Sequence, residues 1–377
     1  MQNIPFLPSK TILSFPRPGR LSDHINSRIR SLDIDQETVE ALLCQFGLKL
    51  SGRAKNLPNA RRNTNLIIET NQGRKIFKKY RKDWKHSTIE FEHSILKELE
   101  RVKFPAPRLV SLPDGQTWVS SDNQNFCMFD FIDGKNYSSS FLVRPHRVRM
   151  MGTSGRTLAA LHKQLVGFQP KGQHHLGFTG FDQDRLRDIP WHAKKIEELC
   201  SLSSQISEPE DQQYADWLVQ NSKQLYQELF DLDKTLKNVQ LPRIIIHGDY
   251  GLHNLIYSDL DHAVPVDYEL SRIEWRMSDL VSVISKFRYK DGSYDYESII
   301  QFLHAYQHEF PIDDAEWQHF PLVWKYYKLM KGVQYWISYF ETNGPVRKLR
   351  DSRKEIEYSN WAIKNPEWLA KFRVVHQ

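Results

Sequence analysis

Cysteine is scarce in this 377-residue sequence, which has three, at positions 44, 127 and 200. Three thiols cannot all be paired within one chain, and their separation matches no metal-binding pattern, so reduced thiols are expected. Long apolar runs are missing as well. No stretch approaches the ~20 residues that cross a bilayer, and the N-terminus lacks the continuous apolar core of a signal peptide. The sequence therefore predicts a cytoplasmic protein without a membrane partner.

An excess of acidic residues is also missing, since 52 Lys and Arg against 46 Asp and Glu give a formal net charge of +6. A surplus of this size permits attraction to phosphates without requiring nucleic acid. Basic residues are densest over 74–85, where seven of twelve are Lys or Arg. No helix-turn-helix, zinc-finger or RNA-binding pattern accompanies that stretch. We interpret it as a solvated surface, with a nucleotide-phosphate site as the alternative, and we predict no nucleic-acid partner.

The composition is otherwise that of a globular protein, with 40% hydrophobic and 26% charged residues. It excludes collagen-like and wholly disordered classes, and the length allows two or three domains or one bilobal enzyme. Residues 1–30, rich in Pro, Arg and Ser, are expected to form a poorly ordered N-terminal arm. Residues 31–133 are β-rich, whereas residues 134–377 are mainly helical, with clear patterns over 155–165 and 205–237. The sequence thus predicts a small β-rich lobe followed by a larger helical one.

Local patterns in the first lobe specify a hairpin and a helix. The β-rich runs NLIIET (65–70) and KIFKKY (75–80) flank the turn NQG, which is a hairpin signal. A helix is expected over about 87–102, because its apolar residues recur at helical spacing. Further strands are expected over 118–120 and 126–131.

The residues that carry chemistry lie in one segment of the second lobe. An apolar strand-like run, Arg243–Ile246, leads directly into His247, Gly248 and Asp249, and Asn254 follows five residues after Asp249. A short hairpin then returns to a second carboxylate, Asp267. Such a carboxylate, amide and second carboxylate can converge on one point. The arrangement suits phosphoryl transfer from a nucleotide, in which one Asp accepts the proton of the attacking hydroxyl and the other two residues hold Mg²⁺.

This spacing, H-x-D-x-x-x-x-N followed by a strand-borne Asp, resembles the catalytic and metal-binding loops of kinases. Its HGD form is similar to the aminoglycoside phosphotransferase and choline kinase-like superfamily, which also includes homoserine, hexosamine and fructosamine kinases and spore-coat kinase-like proteins. The resemblance covers roughly residues 35 to 340. It implies an α+β, protein-kinase-like bilobal fold, in which an antiparallel sheet with one helix precedes a mainly helical lobe and ATP binds between them.

Carried onto this sequence, the resemblance implies that Asp249 is the catalytic base and that Asn254 and Asp267 are Mg²⁺ ligands. The run CMFDFIDG resembles the hinge between the lobes. Backbone groups near Phe129 to Phe131 are therefore expected to hydrogen-bond the adenine of ATP.

In the first lobe, KIFKKY matches the strand whose lysine binds the ATP phosphates. This implies a phosphate contact by Lys78, or failing that by Lys79. The family's helix pattern fits Glu92 as the carboxylate that pairs with this lysine, and Glu90 is the alternative.

Two further features concern a turn in the first lobe and two residues close to the motif. The turn LPNARRNTN lacks the glycine of a phosphate-covering loop, so Arg61 or Arg62 is the candidate phosphate contact there. His247 and Asp279 are interpreted as structural residues, the first bridging the loop backbone and the second fixing the catalytic loop.

The sequence does not decide which small molecule accepts the phosphate. An aminoglycoside favours acidic residues, which Glu269, Glu274 and Asp279 supply near the motif. A choline-like amine favours aromatic rings that hold a cation. Such rings recur at helical spacing in one stretch, where helix core is the favoured interpretation: Trp324, Tyr326, Tyr327, Tyr335, Trp336, Tyr339 and Phe340.

We therefore expect Mg²⁺- and ATP-dependent transfer of the γ-phosphate to a hydroxyl of a small molecule, such as a sugar, aminoglycoside, amino alcohol or choline-like compound. The alternative is a non-catalytic kinase-like binding or structural protein. A protein kinase is disfavoured, because no Ala-Pro-Glu segment follows Asp267. The acceptor, the preference for ATP over GTP and the choice between monomer and homodimer are left open.

Overall fold

The computed structural model describes residues 34–57, 64–82, 84–137, 144–173, 189–288, 293–341 and 345–373. The N-terminal arm predicted over 1–30 lies outside the described residues, as do Arg61 and Arg62. Within the described ranges, every helix is too short or too polar to cross a membrane.

The first lobe is an antiparallel sheet with a helix on each face. Its strand order is β1-β2-β3-β5-β4. The elements are α1 (Gln36–Gln45), β1 (Lys55–Asn56), β2 (Thr64–Thr70), β3 (Gly73–Lys79), α2 (His86–Arg101), β4 (Trp118–Ser121) and β5 (Gln124–Asp130). The predicted hairpin is confirmed, because β2 and β3 pair in register from Thr64 opposite Lys79 to Thr70 opposite Gly73. The helix predicted over 87–102 is α2.

Alternation along the strands sends side chains to two separate cores. Phe77 on β3 and Met128 on β5 join the cluster that α1 covers. Their neighbours Cys127 and Phe129 belong to the other cluster, which α2 shares with the larger lobe. Because successive strand residues point to opposite faces, Lys78 lies on the face that α2 covers. The alternation thus places this lysine beneath the helix that carries Glu92.

The second lobe is mainly helical, with two small antiparallel sheets of order β6-β8-β9 and β10-β7. Its strands are β6 (Lys135–Asn136), β7 (Arg243–Ile246), β8 (Leu255–Tyr257), β9 (Ala263–Pro265) and β10 (Arg272–Trp275). Its helices are α3 (Arg144–Leu165), α4 (Ile189–Ser203), α5 (Pro209–Leu236), α6 (Arg276–Ile284), α7 (Tyr296–Glu309), α8 (Asp314–Glu341), α9 (Arg347–Glu357), α10 (Trp361–Lys364) and α11 (Pro366–Phe372).

Close packing of α3 against α7 forms the centre of this lobe. A Cβ at Gly155 would lie 2.2 Å from the main-chain oxygen of Phe302, so only glycine permits the observed distance between these helices. The strand β7 and helix α5 agree with the predicted segments. The helix α4 and the strand β10 were not predicted. The sequence of β10, RIEW, alternates polar and apolar residues over four positions only, which is the shortest pattern that indicates a strand.

The strand β6 joins the connection between the lobes to the catalytic segment. Lys135 and Asn136 pair with Tyr257 and Ile256 of β8. Asn136 Nδ2 also donates to the main-chain oxygens of His253 and Leu255, at 2.7 and 3.0 Å. The chain that leaves the first lobe is thereby bonded directly to the segment around Asn254.

Candidate active site

Asp279, in the first turn of α6, fixes the start of the catalytic loop. Its carboxylate accepts hydrogen bonds from the backbone N–H groups of His247 and Gly248, at 2.8 and 2.9 Å. His162 Nε2 lies 3.2 Å from the same carboxylate. Burial opposes ionisation of Asp279, but the hydrogen bonds from His162 and the loop backbone outweigh it and lower its pKa. The structural role predicted for Asp279 is confirmed.

Gly248 allows the loop to pass close to the segment that follows Asp267. Its φ is +83°, and a Cβ there would lie 2.0 Å from the main-chain oxygen of Leu270. His247 makes the second link, because its Nε2 lies 3.1 Å from the main-chain oxygen of Val266. Burial lowers the pKa of His247, so the neutral ring that bridges the two segments is favoured. The predicted bridging role of His247 is confirmed.

Asp249 lies at the entrance of the loop with its side chain 40% exposed. Its Oδ1 accepts from Lys286 Nζ at 3.1 Å, and its Oδ2 lies 3.4 Å from His253 Nε2. Partial burial acts to raise the pKa of Asp249, but the contacts with His253 and Lys286 outweigh it and hold this pKa well below its ordinary value. Asp249 is therefore a carboxylate that stays ionised, close to a protein ammonium group.

Asn254 is buried and hydrogen-bonded both to Asp249 and to the segment that leads to Asp267. Its Nδ2 donates to the main-chain oxygen of Asp249 at 2.9 Å, and its own main-chain oxygen accepts from Val266 N at 2.9 Å. Since Nδ2 is used as a donor, Oδ1 is the side-chain atom that can serve as a cation ligand. The structure therefore brings Asn254 and Asp249 together as the sequence predicted.

Asp267 has a left-handed backbone, with φ 67° and ψ 65°. Such a conformation costs a non-glycine residue about 1–3 kcal/mol and is concentrated at functional sites. The side chain is 47% exposed, and its Oδ1 lies 4.0 Å from Lys78 Nζ. Asp267 therefore connects the catalytic segment of the large lobe to the lysine of the small lobe.

Lys78 is buried among carboxylates. Its Nζ lies 3.1 Å from Glu92 Oε1 and 3.5 Å from Glu269 Oε2. Burial alone would lower the pKa of Lys78, but the carboxylates of Glu92, Glu269 and Asp267 raise it above its ordinary value. Burial raises the pKa of Glu92, and the nearby Glu269 carboxylate acts in the same direction, so that together they outweigh the lowering by Lys78.

The structure distinguishes the alternatives for this pair. Lys78 contacts Glu92, while Lys79 follows it on β3 and lies on the opposite face of the sheet. Glu90 forms no ion pair among the described residues, whereas Glu92 is the helix carboxylate that reaches the lysine. The contact of Lys78 with ATP phosphates stays a prediction.

Sequence reasoning missed a buried network behind this pair. Tyr80 OH donates to Glu92 Oε2 at 2.9 Å and lies 2.9 Å from His93 Nε2. His93 Nδ1 in turn lies 2.7 Å from Thr117 Oγ1. The helical spacing that identified Glu92 did not indicate these partners, because Tyr80 and Thr117 lie outside α2.

The three acidic residues considered for an acceptor pocket are buried and contact other groups of the protein. Glu269 is buried against Lys78, and Asp279 is bonded to the catalytic loop. Glu274 has 1% of its side chain exposed, with Oε2 3.8 Å from Arg272 Nε. None of the three therefore forms an exposed acidic surface for a polycationic acceptor.

The hinge strand has fewer available groups than predicted. The N–H of Asp130 donates to Arg108 O at 2.9 Å, and the N–H of Phe131 donates to Arg74 O at 3.2 Å. Phe129 pairs with Ile76 within the sheet. Among the backbone groups near Phe129 to Phe131, the N–H groups of Asp130 and Phe131 are therefore already engaged, and adenine binding by this segment stays a prediction. The next candidates along the chain are the carbonyl of Asp130 and the N–H of Ile132.

Most of the aromatic stretch on α8 is core, as favoured from the sequence. Trp324, Tyr326 and Trp336 have at most 1% of their surface exposed. Tyr327 and Tyr335 are half-buried and face the ammonium of Lys331, at 5.1 and 5.8 Å from their ring centres.

Comparison with known proteins agrees with this arrangement. The family model described as a phosphotransferase enzyme family matches residues 53–317. A homoserine kinase from Phenylobacterium zucineum (strain HLK1) is 21% identical over 287 residues, covering 75% of this chain and 79% of that protein.

Solved structures share the fold. An amicoumacin kinase in complex with AMP-PNP and Ca²⁺ has a TM-score of 0.62 at 13% identity, covering 87% of this chain and 93% of its own. A spectinomycin phosphotransferase in complex with ADP has a TM-score of 0.60 at 11% identity, covering 87% and 98%. A microcompartment-associated aminopropanol kinase has a TM-score of 0.60 at 15% identity, covering 90% and 100%. These similarities confirm the predicted α+β, protein-kinase-like fold.

Proposed function

The chain belongs to the phosphotransferase enzyme family, and we propose that it transfers the γ-phosphate of ATP to a hydroxyl group of a small molecule. One observation carries the proposal. The ionised Asp249 shares its loop with Asn254, and this loop is bonded to the segment that presents Asp267 to Lys78. Base, cation ligands and phosphate-binding lysine thus lie in one cleft between the lobes.

Lys78 is the proposed ligand of the ATP phosphates. Its ammonium is held by Glu92 and remains charged, because the surrounding carboxylates raise its pKa. The adenine is proposed to bind the backbone at the end of β5, through Asp130 O and Ile132 N–H instead of Phe129 and Phe131. ATP use is supported by the AMP-PNP and ADP complexes of the solved relatives.

Asn254 and Asp267 fit a magnesium ion, which prefers oxygen ligands and keeps nucleotide oxygens and waters in its shell. Among the described residues there is no group of three or more His, Cys, Asp or Glu side chains that could hold a metal by themselves. This agrees with a cation shared between two side chains and the nucleotide. When bound, Mg²⁺ neutralises charge that develops on the phosphates.

Asp249 positions the acceptor hydroxyl. The hydroxyl oxygen attacks the γ-phosphorus, the new O–P bond forms, and the bond from phosphorus to the β,γ-bridging oxygen breaks to release ADP. The hydroxyl proton passes to Asp249 and then to solvent. Because the pKa of Asp249 is low, it acts mainly by orienting the hydroxyl and accepts the proton late, as a loose transition state allows.

The acceptor class is supported by the relatives' names, which include homoserine kinase, aminopropanol kinase and spectinomycin phosphotransferase. All three names denote small hydroxylated acceptors.

Calorimetric titration of ATP into the purified protein, with and without Mg²⁺, tests the nucleotide site. We expect Mg²⁺-dependent binding that Asp267→Ala loses and Asp249→Asn retains. With an acceptor identified, Asp249→Asn should lower turnover by orders of magnitude. Wild-type turnover in that variant would refute the assignment of Asp249. Absence of ATP binding under both conditions would instead favour a non-catalytic kinase-like protein.

A further inference from the structure

A cluster of basic side chains lies between α8, α9 and the segment after α6, and it is not used by the site described above. This basic cluster consists of Arg288, Lys328 and Lys331, which share one carboxylate, Glu355. Lys328 Nζ lies 2.6 Å from Glu355 Oε2. Lys331 makes no ion pair among the described residues, and its Nζ donates to Tyr327 OH at 3.2 Å. Three basic side chains therefore face a single carboxylate in this cluster.

One buried donor of this cluster is unsatisfied among the described residues. Arg288 Nε is buried and has no hydrogen-bond partner in the described structure, although its Nη2 donates to Tyr294 OH at 2.7 Å. Burial lowers the pKa of Lys328 to about 7, and the neighbouring charges of Arg288 and Lys331 act in the same direction. Unmatched positive charge in a protein interior is costly. An anion bound between these groups would satisfy the donor and offset the charge.

The basic cluster is connected to the catalytic loop through α6. Tyr327, which accepts from Lys331, donates to Ser282 Oγ on α6 at 2.8 Å. Lys286 lies four residues after Ser282, in the turn that follows α6. Lys286 Nζ then lies 3.1 Å from Asp249 Oδ1. A chain of polar and cationic groups therefore leads from the cluster to the proposed base.

The aromatic rings near the cluster already bind cations of the protein itself. The Lys331 ammonium lies 5.1 Å from the ring centre of Tyr327, and the Lys348 ammonium lies 4.7 Å from that of Tyr335. Lys328 is similarly placed over Trp324, at 5.2 Å. A quaternary amine or a polycation in this region would meet like charge instead of an empty aromatic cage.

We propose that the acceptor carries an anionic group, a carboxylate or a phosphate, which binds Lys331 and Arg288 while its hydroxyl reaches Asp249. The proposal rests on the phosphoryl transfer proposed above and specifies the class of its acceptor. Lys331 and Arg288 determine specificity in this arrangement, and Lys286 favours the approach of the same acceptor.

The first test measures Mg²⁺-ATP-dependent ADP release with four pools of hydroxyl compounds: neutral polyols, amino alcohols with aminoglycosides, hydroxycarboxylates, and polyol phosphates. We expect release above the water background in the third or fourth pool. Glycerol, glycerate and glycerol 3-phosphate then distinguish a carboxylate from a phosphate on a similar carbon chain. Turnover confined to the neutral or cationic pools would overturn the proposal.

Lys331→Met tests the contact itself. Loss of a charge-assisted hydrogen bond worth about 1.5–3 kcal/mol should raise the acceptor KM about 10- to 100-fold, with kcat and ATP affinity nearly unchanged. Lys325→Met is the matched control, since Lys325 lies on the same helix and pairs with Glu228 at 2.9 Å. An unchanged acceptor KM in Lys331→Met would exclude the contact.

A binding measurement covers the case in which no pool is turned over. With AMP-PNP and Mg²⁺ saturating, sodium sulfate at constant ionic strength should raise the Tm of the wild-type protein and of Lys325→Met above their values in chloride. The rise should be smaller in Lys331→Met, in which only the general stabilisation by sulfate excluded from the protein surface remains. An equal response of Lys331→Met and the wild type would overturn the proposal. Failure of AMP-PNP to bind would instead count against the proposed function.

Discussion

The hydroxyl of Tyr80 donates to Glu92 Oε2 at 2.9 Å, on the carboxylate whose other oxygen faces Lys78. Tyr80 lies two residues after Lys78, and the lysine ammonium is 4.7 Å from its ring centre. One side chain therefore holds both members of the buried ion pair, by a hydrogen bond and by a cation–π contact.

Tyr80→Phe should weaken nucleotide binding. The change leaves Glu92 Oε2 without this donor, which costs about 1–3 kcal/mol for a buried polar group, and it loosens the position of Lys78. We expect a several-fold rise in the KM for ATP together with a lower Tm. Tyr257→Phe is the control, because its buried hydroxyl donates to Met150 O at 3.2 Å, within the large lobe. A lower Tm with an unchanged KM in Tyr80→Phe would show that Tyr80 only stabilises the fold.

His93 should make the small lobe sensitive to acid. Burial lowers the pKa of His93 from 6.5 to about 3, so the native state favours the neutral ring. Between these values the unfolded chain binds the proton and the native protein does not, so stability falls as the pH falls below 6.5. From pH 6.5 to pH 5 the loss is about 2 kcal/mol.

Urea unfolding of the wild type and His93→Gln at pH 7 and pH 5 checks this prediction. Gln keeps hydrogen-bonding capacity without a titrating ring. The stability advantage of the wild type over His93→Gln should therefore shrink on acidification by about the amount given above. An advantage that stays constant between the two pH values would contradict the prediction.

Gly248→Ala should displace the catalytic loop. The new Cβ would lie 2.0 Å from Leu270 O, at a residue whose φ is +83°. Gly47→Ala is the matched control, since Gly47 also has a positive φ, +69°, but no atom lies within 4 Å of its Cβ position. We expect about 1 kcal/mol of destabilisation at Gly47 from backbone strain alone, and a larger loss with strongly reduced turnover at Gly248. Equal effects in the two variants would show that contact with Leu270 does not matter.

Lys286→Met should shift the pH dependence of catalysis. The Lys286 ammonium helps to hold the pKa of Asp249 low, so its removal raises that pKa. The acidic limb of kcat/KM should move to higher pH, toward the ordinary aspartate pKa of about 3.9, whereas Lys286→Arg should keep it near its wild-type position. A limb that does not move in Lys286→Met would show that Asp249 does not control it.

The motif residues could be identified from sequence because their relation is local. Asp249 and Asn254 lie on one loop, and a short hairpin brings Asp267 back to it, so spacing alone predicts their meeting. The pairing of Lys78 with Glu92 followed from a strand pattern and a helix pattern, although spacing left Lys79 and Glu90 open. The choice between Lys78 and Lys79 depends on which face of the sheet α2 covers, and sequence spacing does not give this face.

Long-range partners could not be identified in this way. Lys286 meets Asp249 across 37 residues of sequence, and nothing in the run VSVISKFRYK distinguishes it from a surface lysine. The same holds for Glu269, whose carboxylate turns inward to Lys78 and not outward to an acceptor. Burial and charge pairing in three dimensions decide these roles, and a single sequence does not record them.

The attachment of β6 to β8 has a mechanical consequence. Since β5 ends at Asp130 and β6 begins at Lys135, residues 131–134 form the covalent pivot between the lobes. On the far side of the pivot, Asn136 is fastened to the main chain on both sides of Asn254. The main chain around Asn254 is therefore fastened to the connection between the lobes, so a shift of this connection would also shift the proposed cation ligand.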